Sequence, residues 1–143
     1  MISVIDYIRY FTELISNEWH EKVNDKDMEE GFERPSFFID VIDSTSDDTC
    51  KNVLIETHRL IIYYFAEERK TGFLDLLKKQ RRMKELLLEP IVIEDVTTEA
   101  EEIEYRIIKG DMVLQVELSV TSYQEIIKPD DAEYITDLSV SQS

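Results

Sequence analysis

The sequence predicts an α+β domain: a mainly antiparallel sheet of about 4–6 strands with two amphipathic helices packed on one of its faces. Three observations predict it. Two stretches carry apolar residues at helical spacing, several longer stretches are rich in β-branched and aromatic residues, and the elements come in the order helix, strands, helix, strands.

The first helix covers about 3–19. Val4, Ile5, Ile8, Phe11, Leu14, Ile15 and Trp19 follow the i, i+3, i+4 spacing of one face, and Asp6, Arg9, Glu13 and Asn17 take the other. Such a stripe needs a sheet or a second helix to cover it. The polar stretch HEKVNDKDMEEGFERP follows, punctuated by Gly31 and Pro35, with a short strand near Val23. Residues 36–43 (SFFIDVID) read as a strand with Phe37, Ile39 and Val41 on one face and Phe38, Asp40 and Ile42 on the other. STSDDTCKN then reads as a loop.

A longer strand spans 53–65. Its second half, LIIYYF, is apolar on both faces, which implies a central position in the sheet or cover on both sides, including cover from a neighbouring subunit. After a break at 67–72, Phe73, Leu76, Leu77, Met83 and Leu87 return to helical spacing, and Pro90 closes that helix. Residues 91–96 form a short strand candidate. Strands at 101–108 and 112–123 are joined across Lys109-Gly110-Asp111 as a hairpin. In the last strand Met112, Leu114, Val116, Leu118 and Val120 alternate with Val113, Gln115, Glu117, Ser119 and Thr121, so one face is core and the other is wet or meets a partner. Residues 1–123 thus form a single domain, and the polar residues 124–143, with KPDDAE, form a mobile tail or arm.

At 143 residues the chain fits one core. Its formal net charge of -16 is the unusual quantity, because so acidic a surface repels nucleic-acid phosphates at long range. That argues against a nucleic-acid reader, though not against a wall that DNA slides past. No apolar run approaches the roughly 18–20 residues of a membrane span, and MISVIDYIRY lacks the basic start of a signal peptide, so the chain reads as cytosolic where it is made. With Cys50 as the only cysteine, an intramolecular disulfide and a thiolate metal cluster are both excluded.

Chemistry is hard to place in this sequence. His20 and His58 lie at a helix end and in mid-strand, away from any nucleophile motif, and GxSxG, P-loop and GxGxxG patterns are absent. Asp25, Asp27 and Glu29 imitate the start of a calcium loop, but Glu30 stands where the turn glycine belongs and Ser36 where the bidentate glutamate belongs. Acidic pairs such as Asp47–Asp48, Glu101–Glu102 and Asp130–Asp131 read as solvated edges. The expectation is a non-enzyme that uses no cofactor or metal.

Charge is distributed unevenly. Arg69, Lys70, Lys78, Lys79, Arg81, Arg82 and Lys84 are 7 of the 16 basic residues, and Asp75 is the single acid between 69 and 84, so that segment is +6 and the remainder -22. On a helix, Lys78, Lys79 and Arg82 project opposite Phe73, Leu77 and Leu87, while Gln80 and Lys84 fall inside the apolar arc. This stripe is either a solvated face or a contact to the acidic surface of the next subunit, head to tail, as in a closed ring.

The segment EEGFERPSFFIDVI (29–42), with Gly31, Phe32, Arg34, Pro35 and Phe37, and the segment HRLIIYYF (58–65) resemble the tail terminator and tail-completion (tail-to-head joining) proteins of tailed phages and phage-like elements of Gram-positive bacteria. The resemblance covers roughly 1–123. Members often carry a proline after the YF pair, where this chain has Ala66.

What the resemblance implies is a virion structural protein at the head-proximal end of the tail. It forms a ring, commonly a hexamer, that caps the tail tube, ends its polymerisation and offers a docking face to the head connector. Its partners are then other copies of itself, the tail tube protein and a head-completion or connector protein, with DNA only as passing cargo and no membrane. An acidic lumen suits that passage, because like charge keeps phosphates from sticking. Candidate contacts are Lys78, Lys79 and Arg82 on the helix, Ile62 and Tyr64 on the two-sided strand, and the C-terminal arm. The competing reading is a monomeric acidic adaptor or inhibitor that binds one host protein.

Overall fold

A computed structural model describes residues 2–24, 33–47, 52–67 and 69–125 of the chain. The elements in order are α1 (Val4–Glu18), β1 (Lys22–Asn24), β2 (Ser36–Asp47), β3 (Val53–Phe65), α2 (Arg69–Leu86), β4 (Ile91–Ile93), β5 (Val96–Thr98), β6 (Ala100–Ile108) and β7 (Val113–Glu125). The main sheet has five strands in the order β1-β2-β3-β7-β6, and β4 and β5 form a two-stranded ladder. Among the described strands only β1 runs parallel to its neighbour. The fold is the expected α+β, mostly antiparallel arrangement.

α1 starts where the sequence places it. Ser3 sits just before the helix, and the Asp6 carboxylate accepts a hydrogen bond from the Ser3 backbone N–H at 2.8 Å, which satisfies an otherwise unpaired donor of the first turn. The helix buries Tyr7, Phe11 and Ile15. These meet Phe37 and Ile39 of β2, Leu60, Ile62 and Tyr64 of β3, and Leu114, Val116, Leu118 and Val120 of β7. Leu76, Met83 and Leu87 join the same core, so both helices cover one face of the sheet. Each such buried side chain contributes about 1.5–3 kcal/mol relative to exposure.

β3 is flanked by β7 along its whole length and by β2 from Ile55 to Phe65, so LIIYYF lies at the centre of the sheet. On the face away from the helices, Phe38, Phe65 and Val113 form a second, smaller cluster with Tyr63 and Ile108 against it. Farther along that face Arg59 bridges Glu117 at 2.6 Å and Asp43 at 3.4 Å, linking three strands.

Four expectations about boundaries are corrected. The polar residues Ser44–Asp47, expected as loop, continue β2, because β3 offers backbone partners up to Ile55 and the side chains find their own: Ser44 with His58 at 2.8 Å and Ser46 with Glu56 at 3.2 Å. A bulge between Val41 and Asp43 lets this polar half change register. α2 begins at Arg69, inside the expected break, and Gly72 allows its first turn to approach Met112 and Ala66; an added Cβ would lie 3.3 Å from the Met112 sulfur. Residues 91–96, expected as one short strand, contribute to two strands turning at Glu94, whose φ is 55°. The last strand begins at Val113, since Met112 takes a left-handed φ of 53° in the turn, and it runs to Glu125. Residues 124 and 125, expected in the arm, therefore belong to β7. Gln124 is buried, accepting from the Ile2 N–H at 2.7 Å and donating to the Ile2 carbonyl at 3.1 Å.

Candidate assembly surface

The arrangement of α2 follows from its helical phase. Gly72, Leu76, Lys79, Met83 and Leu87 recur at steps of three and four and all are buried, so they define the inward face. Lys79 lies on that face although it carries a charge, and it is only 7% exposed. Its ammonium bonds the Asp75 carboxylate at 3.1 Å and the Glu21 carboxylate at 3.2 Å, and it sits 4.6 Å from the Tyr64 ring centre and 5.5 Å from that of Trp19. The Tyr64 hydroxyl donates a short hydrogen bond to Asp75. Burial first, then that bond and the nearby carboxylates, push the Tyr64 hydroxyl well above the usual tyrosine range. Trp19 stacks on Phe37 at 5.3 Å, and Phe37 tilts against Tyr64 at 4.7 Å. This corner clamps α2 to the end of α1 and to β2 and β3. Partnered and desolvated cations of this kind belong to the fold rather than to a contact surface.

The outward face differs. Leu74 and Leu77 are 57% and 41% exposed, and Lys78, Arg81 and Glu85 are exposed beside them, while Leu88, 81% exposed, lies just past the end of the helix. Neither cation pairs with a carboxylate among the described residues. Arg82 lies to one side and reaches Glu18 of α1 at 2.9 Å and Glu85 at 3.5 Å, which holds the Glu18 carboxyl below the usual range. Lys84 sits over the Tyr105 ring at 5.2 Å, and Lys109 over Phe73 at 4.6 Å.

Of the expected contact residues, then, the structure leaves Lys78 open to a partner and gives the others work inside the domain. Lys79 is caged, and Arg82 is half-exposed and bound to α1. Ile62 and Tyr64 are each 1% exposed under the helices, so the cover of that strand face is supplied within the chain. Leu77, expected in the core, is on the outer face. Sequence reasoning missed Leu74 and Arg81 as partners of Lys78, although their i, i+4 and i+7 spacing carries the signal.

Among the described motif residues, Arg34, Pro35 and Phe37 serve the fold. The Arg34 guanidinium donates to the Ala66 carbonyl at 3.0 Å and the Asp111 carbonyl at 2.8 Å, tying the end of β3 to the β6–β7 turn, and lies 5.6 Å from the centre of the Phe65 ring. Pro35 lines a shallow groove with Glu21 and Tyr64, and Phe37 is core. Gly31 and Phe32, like the calcium-like Asp25, Asp27 and Glu29, lie outside the described residues.

The edge strand β6 exposes Glu101, Glu102 and Glu104, with Glu102 in a bulge at φ 51°. Charge and a bulge there discourage indiscriminate strand pairing. Among the described residues no group of three or more His, Cys, Asp or Glu side chains is placed to hold a metal ion, and no helix is long and apolar enough to cross a membrane.

These features define an acidic α+β domain with a cationic, apolar helix face turned outward. The family model for phage tail terminator proteins matches residues 8–132, and the chain belongs to that family. No curated protein matches the chain. Tail terminators are structural proteins of the phage tail rather than enzymes.

Proposed function

We propose that this chain caps the head-proximal end of a phage tail tube, ends tube polymerisation and presents the docking surface for a head-completion or connector protein. The observation that carries the reading is the terminator family match over 8–132. The protein acts as a ring of six of its own copies in a phage or phage-like element of Gram-positive bacteria. It assembles in the host cytoplasm and ends in the virion.

Physical chemistry supports the ring in two ways. A net charge of -16 suits a channel wall past which DNA moves without sticking. A cationic helix face on that body gives a head-to-tail contact to the neighbour's acidic surface, and a ring stacked on the tube repeats each modest contact several times.

The test is electron microscopy of tails from a host carrying the phage genome with this gene interrupted. Tails of irregular, extended length lacking heads are expected, with normal length restored by the full chain. Tails of normal length joined to heads would overturn the proposal. A chain that stays monomeric and binds neither tube nor connector would point instead to an adaptor.

A further inference from the structure

We propose that a cleft at the end of β7 receives the outward face of α2 from a second copy, with Arg81 of that copy seated among Glu94, Asp95 and Glu125 against the Tyr123 ring. The inference rests on the ring reading and deepens it by naming both sides of the contact between copies.

The cleft lies where three segments meet. Val53 opens β3, Tyr123 and Glu125 close β7, and Glu94 and Asp95 form the turn between β4 and β5. They enclose about 580 Å³ over a floor that includes the buried Ile2 and Gln124. Tyr123 is 68% exposed, and Glu94, Asp95 and Glu125 are exposed beside it. Among the described residues none of these three carboxylates pairs with a cation, and no lysine or arginine lines the cleft. Carboxylates grouped around an exposed aromatic ring select a guanidinium, which bridges carboxylates and lies flat on a ring. Other acidic parts of the surface lack this combination. Arg59 already bridges Asp43 and Glu117, and Glu104 shares its hollow with Arg106.

Charge chooses the occupant. The chain that continues from Glu125 carries Lys128 against Asp130, Asp131, Glu133 and Asp137, so its net charge has the cleft's own sign. The outward face of α2 has the opposite sign. Lys78 and Arg81 stand exposed there beside Leu74 and Leu77, without a carboxylate partner among the described residues. Glu85 is next to them, but Arg82 meets its charge at 3.5 Å. Leu77 supplies apolar cover for the Tyr123 ring while the two cations answer the acids. Within one copy the two surfaces stay apart. The helix begins against Met112, at the other end of β7 from Tyr123, and no described ion pair joins α2 to the cleft. Complementary patches on different parts of one chain make a heterologous contact, which repeats from copy to copy and closes into a ring.

Two charge swaps in the full chain test the contact. Glu94→Arg with Asp95→Arg makes the cleft cationic, and Lys78→Glu with Arg81→Glu makes the helix face acidic. In sedimentation velocity at low salt, each variant alone should self-associate about 10-fold more weakly than the parent. An equal mixture should associate as the parent does, because each variant's cleft then meets the other's helix. One chain carrying all four substitutions should do so by itself. Urea midpoints at the parent's value confirm that the variants fold. In the parent, a photoreactive phenylalanine analogue at position 123 should cross-link to residues 77–85 of another copy, told apart by isotope labelling; this measurement decides alone if a swap unfolds the chain. A cleft variant that associates as the parent does, a mixture no better than its parts, or a parent that stays monomeric would overturn the proposal. So would cross-links from position 123 within one copy, to β6 or to a tail tube protein. Rescue in the mixture with tube length left unregulated keeps this contact and removes the terminator role. Tubes capped at normal length by a cleft variant that no longer self-associates keep that role and remove this contact.

Discussion

Lys78 and Lys79 are neighbours in sequence and opposites in situation. One step along α2 turns a side chain by about 100°, and here that step separates an exposed cation between exposed leucines from a cation held at 7% exposure among two carboxylates and two aromatic rings. The same helix thus holds the fold on one face and offers a surface on the other. A count of basic residues cannot make that division, since +6 describes the segment and says nothing of where each charge points.

The sharpest way to break the comparison is to truncate each lysine in turn. Lys79→Ala leaves Asp75 and Glu21 facing each other without their cation and removes its contacts with Trp19 and Tyr64. It should cost about 2–4 kcal/mol in urea denaturation. Lys78→Ala should stay within about 0.5 kcal/mol of the parent. Equal losses at the two positions would contradict the division.

A smaller effect is expected at Arg34. Arg34→Ala removes the one guanidinium nitrogen that donates to both the Ala66 and Asp111 carbonyls, so it should destabilise by about 1 kcal/mol. The loss should appear in the same denaturation measurement, with no effect on self-association. That would place the motif on the fold side of the comparison.

The smallest effect is a pH dependence at the far end of the core. His58 packs 5.5 Å from the Tyr7 ring, bonds Ser44 through one ring nitrogen, and has no described partner for the other. Burial holds its pKa below the usual histidine value of 6.5, with Glu56 opposing. A depressed folded-state pKa means that the unfolded chain takes up the proton first. The contribution is therefore present above about pH 6.5 and lost as pH falls through and below that value. Chemical denaturation of the parent between pH 7.5 and 5, compared with His58→Gln, should show the parent losing more stability on acidification. Parallel curves would remove His58 as the cause.

Much of the fold was legible from residue patterns. The heptad-scale stripe of α1, the 13-residue β3 and the β6–β7 hairpin all declare themselves through periodicity, because a half-buried element must repeat its apolar residues at its own geometric period. The Ser44–Asp47 extension of β2 did not, since polar residues enter a strand when a partner strand supplies backbone bonds, which no local pattern records. The phase of α2 was legible in part. Leu76, Met83 and Leu87 turn inward as their spacing predicts, but Leu77 turns out, because Gly72 and Lys79 share the inward side and fit against Met112 and the Trp19–Tyr64 corner. Lys79 could be read as surface only until its acids, Asp75 and Glu21, were brought beside it by packing between distant segments.

The central claim is that the outward face of α2 drives assembly and its inward face keeps the fold. Sedimentation velocity of the full chain tests it directly, comparing the parent with Lys78→Glu combined with Arg81→Glu across a salt series. The account predicts a parent that associates at low salt and dissociates as salt rises, and a variant that stays monomeric throughout while unfolding at the parent's urea midpoint. Association that is indifferent to both salt and charge reversal would contradict it.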